Sequence, residues 1–415
     1  MGATVTVFGS GRAVLVDDRA TADVLGWTRR RRSRPDPEIL LRPREGDPRR
    51  EPWIAPGWYD PGLGLEALRR RARRRQWTYL ATPPGVLRYL EGLAEPPGEG
   101  RGWCVAVAGL GRVGGVAATA LALSPSRASG IRNLLISDVN AANQERWLLE
   151  LGAIARWRGR DRLPRVCATT TAEAFRHCDV FLFAASDSVP PVGMKGDVRM
   201  MQFAPNRGIL RTLLEQARAA NYAGLFVVVS DPVDLLALAG FHDSNRDASG
   251  AFTGDGLAPE RIVGLGLGVM WGRALACARQ EGWEETVARG GGIYGPHSRD
   301  VVVFDHLRHP DATRSASLTR AARHGNLRIR DLGHLPYVGP GVSSVGLAVP
   351  ALLAGEEVLG SVMLGGSYFG APVRLDWGVY PAARSMAGEA WRTLAQLHAC
   401  LQAQAEDLGL LDRRA

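Results

Sequence analysis

Trp103-Cys104-Val105-Ala106-Val107-Ala108-Gly109-Leu110-Gly111-Arg112-Val113-Gly114 is the stretch that decides the fold. Its first half is a short apolar run, which predicts a buried strand. Its second half carries glycine at its first, third and sixth positions. The following segment, Arg112–Ala122, is rich in Ala and Val and reads as a helix. A glycine-rich turn between strand and helix is the setting that a dinucleotide-binding fingerprint requires. The first glycine permits the tight turn, the second lets the backbone approach a pyrophosphate, and the third lets the helix pack closely on the strand. The helix N-terminus then offers unpaired N–H groups to phosphate. Gly109, Gly111, Arg112, Val113 and Gly114 are therefore candidate cofactor contacts. Asp138 ends the next predicted strand, 24 residues after Gly114. A carboxylate there can accept hydrogen bonds from a ribose diol and repels a 2′-phosphate, which favours NAD over NADP.

Outward from this stretch the pattern alternates. Asn133–Ser137, Pro164–Ala168, Asp179–Ala185 and Leu225–Val229 read as strands. Asn140–Trp157, Ala172–His177 and Pro205–Ala219 read as helices between them. Such alternation implies βαβ units and a parallel sheet covered on both faces. Beyond about residue 260 the pattern becomes mixed α+β and ends in a predicted long helix over Ala382–Leu408. The expected fold class is α/β: a Rossmann-type parallel sheet over 103–245, a mixed α+β catalytic domain over 246–415, and a small N-terminal domain over 1–102. Within that N-terminal part Val5–Phe8 and Ala13–Val16 flank Gly9-Ser10-Gly11 as a small hairpin, Gly64–Leu80 reads as a helix, and Pro96–Gly100 as a linker.

The chain has 415 residues, 46% of them hydrophobic, so it can bury a sizeable core. Its net charge is +9, and Lys195 is the only lysine. The excess is uneven: residues 1–102 hold 19 Arg against 13 Asp and Glu, leaving +3 for all the rest. Basic runs at Arg29–Arg32 and Arg69–Arg75, interleaved with Trp53, Trp58, Trp77 and Tyr79, have the composition of a base-stacking surface. No nucleic-acid module accompanies them, so nucleic acid is not the expected partner. Five scattered cysteines lack metal-knuckle or CxxC spacing and fit a reducing cytoplasm. His306 and His309 beside Asp305 lack a fourth ligand, so no metal site is expected. No signal peptide and no membrane span is read, and the expected location is cytoplasmic.

The order of the motifs resembles the lactate/malate dehydrogenase family from Trp103 to about Leu410. VAVAGLGRVGG is followed by LLISDVN and DVFLFAAS. Arg199 and Asn206 then stand seven residues apart, and VVVSDPVDLL (Val227–Leu236) is similar to the family's strand ending in Asn-Pro-Val-Asp. RIVGLGLGVMWGR (Arg261–Arg273) resembles Gly-x-Gly-x-x-Leu-Asp-x-x-Arg, and YGPHSRDVVV (Tyr294–Val303) resembles Gly-x-His-Gly. VGPGVSSVGLAV, which contains Ser343, and VMLGGSYFGAPV resemble the C-terminal helix and hairpin. The resemblance implies NAD-dependent hydride transfer at carbon 2 of a small 2-hydroxy or 2-keto acid. It implies His297 as acid/base, Arg273 as the clamp on the substrate carboxylate, Arg199 as the loop arginine, Ser343 as a substrate contact and Asn206 as a cofactor contact. It also implies a dimer or tetramer of identical chains.

The sequence departs from the family at several of these positions. The family's histidine-orienting Asp falls on Met270, its Asn on Asp231, and the glycine after the histidine on Ser298. The loop before Arg199 has Pro190-Pro191 and no arginine where malate dehydrogenases read a second carboxylate, so a simple dicarboxylate is not the expected substrate. Two readings stay open. In one, Asp231 serves as the carboxylate partner of His297 and an acid/base pair survives in altered form. In the other, the chain is a catalytically impaired NAD-binding regulatory or scaffold protein of the same fold.

Overall fold

The computed structural model describes residues 5–7, 14–16 and most of 102–411, leaving out 126–129, 156–162, 188–197, 248, 251–255, 258, 333–338, 365, 376–378, 383 and 385. Near the N-terminus, β1 (Val5–Val7) pairs antiparallel with β2 (Val14–Val16), as the flanked glycines predict. The expected helix over Gly64–Leu80, the linker and the arginine runs lie outside the described residues.

The central feature is a nine-stranded sheet. Five strands are β3 (Trp103–Ala108), β4 (Ile131–Ser137), β5 (Arg165–Ala168), β6 (Val180–Phe183) and β7 (Leu225–Val228), and β8 (Ile262–Gly264) completes a parallel set of six. These lie in the order β5-β4-β3-β6-β7-β8, the doubly wound 3-2-1-4-5-6 arrangement. The sheet continues antiparallel through β11 (Val358–Leu364), β12 (Ser367–Leu375) and β13 (Val379–Pro381), while β9 (Gly292–Tyr294) and β10 (Val302–Phe304) form a separate hairpin. One sheet therefore carries strands from both sides of residue 245.

Strand side chains explain why both faces are covered. Along β3, Cys104, Ala106 and Ala108 join one apolar cluster with Phe181, Phe183 and Phe226. Val105 and Val107 join another with Leu134, Ile136, Leu182 and Val227. The period of two sends alternate residues to opposite layers, and both layers are apolar, which marks a strand buried on both faces. The phenylalanine layer is stacked, with Phe175 and Phe181 ring centroids 4.0 Å apart.

Around the sheet run α1 (Arg112–Leu123), α2 (Ala141–Gly152), α3 (Thr171–His177), the short α4 (Val198–Met201), α5 (Phe203–Ala219) and α6 (Val233–Ser244). They are followed by α7 (Leu267–Gln280), α8 (Glu284–Gly290), α9 (Ala312–Asp331), α10 (Ser343–Leu353) and α11 (Gly388–Asp407). Two helices are shorter than their sequence periodicity suggests. The α2 helix stops at Gly152 rather than reaching Trp157, because it buries only Leu151 and glycine is a poor helix former. The α11 helix starts at Gly388 rather than Ala382: Val379–Pro381 pairs with β12 as an edge strand, where proline is tolerated, and the next N–H groups are spent outside a helix, Ala382 on the Pro372 carbonyl and Ala387 on the Leu307 carbonyl.

Candidate active site

The topological switch point lies between β3 and β6, whose following connections leave on opposite sides of the sheet. A cleft of about 1060 Å³ opens there, lined by Gly109, Gly111, Arg112, Val113, Asp138, Ala185, Ser230 and Asp231 among others. Open doubly wound sheets bind ligands at this place, beyond the carboxyl ends of the strands. Each fingerprint glycine has its own physical reason. Gly109 has φ +89°, and a Cβ there would sit 2.4 Å from the Ala185 backbone. A Cβ on Gly114 would sit 1.8 Å from the carbonyl oxygen of Gly109. A Cβ on Gly111 would meet nothing of the protein within 4 Å, so its glycine leaves open room on the cleft wall. The residues fit a dinucleotide on these grounds.

Asp138 is tied to the loop it follows. Its Oδ2 accepts from the Leu110 N–H at 2.8 Å and from Asn143 Nδ2 at 2.9 Å, and its Oδ1 accepts from the Asn140 N–H at 2.8 Å. Trp147 Nε1 donates to the Leu110 carbonyl at 2.8 Å, and its ring fills the space where a Cβ on Gly115 would stand. The fourth glycine of GLGRVGG is thus a packing residue for a tryptophan that sequence pattern did not connect to it. Asn143, Gln144 and Thr169–Thr171 also line the cleft without having carried a sequence signal. Thr171 donates to Gln216 Oε1 at 2.6 Å across it.

Four of the candidate residues lie near one another, and one of them, Asp231, lines the cleft. Asp231 follows β7, Arg199 lies in α4, Arg273 in α7, and His297 follows β9. One Asp231 oxygen lies 3.5 Å from Arg199 Nε and the other 3.8 Å from His297 Nε2. The second distance is an ion-pair contact, longer than a hydrogen bond. Arg273 passes α9, where its Nη1 donates to the Ala322 carbonyl at 3.4 Å. Burial first, then the charges of Arg199 and Arg273, hold the His297 pKa well below the usual imidazole value, so the ring is neutral near pH 7. Burial, with Arg199 next, also lowers the pKa of Arg273.

The other imidazole nitrogen, Nδ1, is buried with no hydrogen-bond partner among the described residues. It lies against the start of α7, where a Cβ on Gly266 would come 2.9 Å from it. The position four residues on, Met270, is 0% exposed and packs among Leu267, Ala274, Ile293 and Val301. Its thioether is core, and no carboxylate stands in its place. The carboxylate that does fix His297 is Asp234, which sequence reasoning passed over although it completes Asp-Pro-Val-Asp. Its Oδ2 accepts from the His297 N–H at 2.7 Å and its Oδ1 from Ser361 Oγ at 2.6 Å.

Asn206 is fully buried and absent from the cleft wall. It donates from Nδ2 to the Asp231 carbonyl at 2.8 Å and accepts from the Asp187 N–H at 3.2 Å, so it braces the turn that carries Asp231. Ser343 opens α10, which packs on α1, and makes no hydrogen bond to Arg199, Asp231, Arg273 or His297 among the described residues. Among the described residues, no group of three His, Cys, Asp or Glu is placed to hold a metal ion, and no helix is long and apolar enough to cross a membrane.

The malate dehydrogenase of Plasmodium falciparum superposes with a TM-score of 0.60 at 16% identity, covering 74% of this chain and 99% of that one. This chain has the lactate/malate dehydrogenase fold. The minor L-lactate dehydrogenase of Enterococcus mundtii, in a ligand-bound form, gives 0.58 at 21% identity over 74% and 98% of the two chains. The malate dehydrogenase of Archaeoglobus fulgidus in complex with NADH gives 0.55 at 16% over 74% and 99%. No protein-family model and no curated protein matches the sequence. The lactate/malate dehydrogenase fold is therefore legible in three dimensions where identity has fallen below what sequence comparison detects.

Proposed function

We propose that the chain is an NAD-dependent oxidoreductase acting at carbon 2 of a small 2-hydroxy or 2-keto acid. The observation that carries this is the gathering of Arg199, Arg273 and His297 about Asp231, which lines the same cleft as the glycine loop and Asp138. Gly109, Gly111, Arg112, Val113 and Gly114 would hold the pyrophosphate and Asp138 the ribose. When bound, the nicotinamide supplies the hydride acceptor or donor. Arg273 grips the substrate carboxylate and sets carbon 2 beside His297. The neutral imidazole takes the hydroxyl proton at Nε2, and the guanidinium of Arg199 stabilises the oxygen as its proton leaves. The 103–245 and 246–415 parts would supply cofactor and substrate contacts respectively, in a cytoplasmic oligomer of identical chains.

A second reading has its own observation: Nδ1 of His297 lacks the carboxylate that would stabilise an imidazolium, since Met270 is core. On that reading the chain binds NAD for a regulatory or scaffold role. A panel of 2-keto acids with NADH, run beside His297→Ala and with NADH binding followed by calorimetry, separates the two. Turnover lost in the variant supports the enzyme; binding without turnover on any acid of the panel supports the second reading. Efficient malate oxidation would contradict the expected monocarboxylate preference.

A further inference from the structure

The feature that a hydroxy-acid site does not use is the carboxylate of Asp231. It stands 3.8 Å from His297 Nε2, at the atom where the reacting heteroatom of the substrate must sit, and its other oxygen leans on Arg199. Adding hydride to a ketone puts negative charge on oxygen, and a carboxylate a few ångströms away opposes that charge. The same addition also requires an acid to protonate the alkoxide. Here the imidazole has no carboxylate behind Nδ1, which abuts Gly266, and two guanidiniums face it from α4 and α7.

An iminium substrate removes both difficulties. Hydride adds to carbon 2, the C=N π pair moves onto nitrogen, and a neutral amine results without any proton being consumed. The substrate brings its own positive charge, which an adjacent carboxylate favours. In reverse, the neutral imidazole takes one proton from the ammonium before the hydride leaves. With Arg273 on the substrate carboxylate, Asp231 faces the cationic nitrogen with one oxygen while the other leans on Arg199.

We propose that this site takes 2-imino and 2-amino acids, with Asp231 as the residue that selects a cationic nitrogen over a carbonyl or hydroxyl oxygen at carbon 2. This rests on hydride transfer at carbon 2 of a carboxylic acid as proposed above, and it assigns the heteroatom. The hydride donor is the reduced nicotinamide dinucleotide already proposed for the cleft.

Calorimetry on the full chain saturated with NADH, which cannot accept a hydride from either probe, tests it without turnover. The probes are pipecolate and tetrahydropyran-2-carboxylate, which differ only in a ring NH2⁺ against a ring oxygen. Pipecolate is expected to bind about tenfold or more tightly, the scale of one charge-assisted hydrogen bond. Asp231→Asn is expected to abolish the difference. In the reducing direction, NADH oxidation with Δ1-piperideine-2-carboxylate should exceed that with a linear 2-keto acid of equal carbon number, and the variant should reverse the order. Equal binding of the two probes, or tighter binding of the oxygen analogue, overturns the proposal even if keto acids are reduced. Should the variant fail to fold, the comparison of the two probes on the unaltered chain decides by itself. Absence of turnover on every acid and imine while pipecolate still binds selectively would overturn the oxidoreductase reading and leave the ligand assignment standing.

Discussion

His297 Nε2 lies 3.8 Å from Asp231 Oδ1, while the opposite ring nitrogen is buried against Gly266 without a hydrogen-bond partner among the described residues. The imidazole therefore has its nearest carboxylate on the Nε2 side of the ring. With burial and two guanidiniums holding its pKa well below 6.5, the ring is unprotonated over the neutral range, the state that the proposed role as base requires. In the oxidising direction kcat/KM is expected to stay flat through pH 6.5 and fall only at lower pH. His297→Gln should remove that acid limb and lower the rate by about 10²–10⁴-fold, with NADH affinity unchanged by calorimetry. An acid limb centred at or above pH 6.5 in the unaltered chain would show that the imidazole is not held neutral in this way.

Asp234 joins three parts of the fold: the start of α6, the backbone of His297 and Ser361 on β11. Burial pushes its pKa up from 3.8 to about 6, against hydrogen bonds from Ser361 and from backbone N–H groups that favour its charged form. Between those values the folded chain keeps a proton that the unfolded chain has lost. Stability from this group is therefore lost as pH rises through that window, by up to about 3 kcal/mol. In Asp234→Asn this dependence is absent. Urea unfolding of both proteins should show the variant gaining on the unaltered chain by about that amount from pH 4 to pH 7. A gap that stays constant or moves the other way would mean that Asp234 ionises normally in the fold.

What the sequence made legible was local or ordered. The strand–glycine–helix stretch at 103–114 and the alternation after it depend on neighbours within a few residues, and Arg199, Arg273 and His297, singled out by their order, lie near one another. What escaped it depends on residues far apart in the chain. Met270 drew attention in the sequence and Asp234 did not, yet Met270 turns into an apolar cluster and Asp234 reaches His297, 63 residues on. Asn206 kept its family position but braces the Asp231 turn from behind. The start of α11 was misplaced because no periodicity reveals that Ala382 bonds back to the Pro372 carbonyl at the edge of the sheet and Ala387 to the Leu307 carbonyl.

Gly325 on α9 is one such silent position. A Cβ there would come 2.7 Å from Cδ of Arg273 and 3.3 Å from its Nε. The arginine would have to shift within its channel beside Ala322, and a displaced clamp holds a carboxylate less well. Alanine inside a helix is itself more favourable than glycine by about 1 kcal/mol. Gly325→Ala is therefore expected to raise KM for the acid substrate about tenfold while leaving NADH affinity unchanged and thermal stability the same or higher. Unchanged KM would show that Arg273 does not contact substrate.

Gly111 and Gly114 separate binding from folding within one loop. The Gly114 position is closed by the chain itself, since a Cβ would stand 1.8 Å from the Gly109 carbonyl oxygen. Gly114→Ala must push β3 and α1 apart, and overpacking of this kind costs about 1–3 kcal/mol or more. The Gly111 position meets no protein atom within 4 Å and lines the cleft. Its φ of −69° suits any residue, so a methyl group there costs the fold little. The methyl would instead stand where the pyrophosphate must approach the helix N-terminus. Gly111→Ala is expected to keep its melting temperature and lose NADH affinity by about tenfold or more, and Gly114→Ala to melt several degrees lower. Calorimetric unfolding and NADH titration of the two variants check both halves. If Gly111→Ala binds NADH as tightly as the unaltered chain, the cleft does not hold a dinucleotide across this loop.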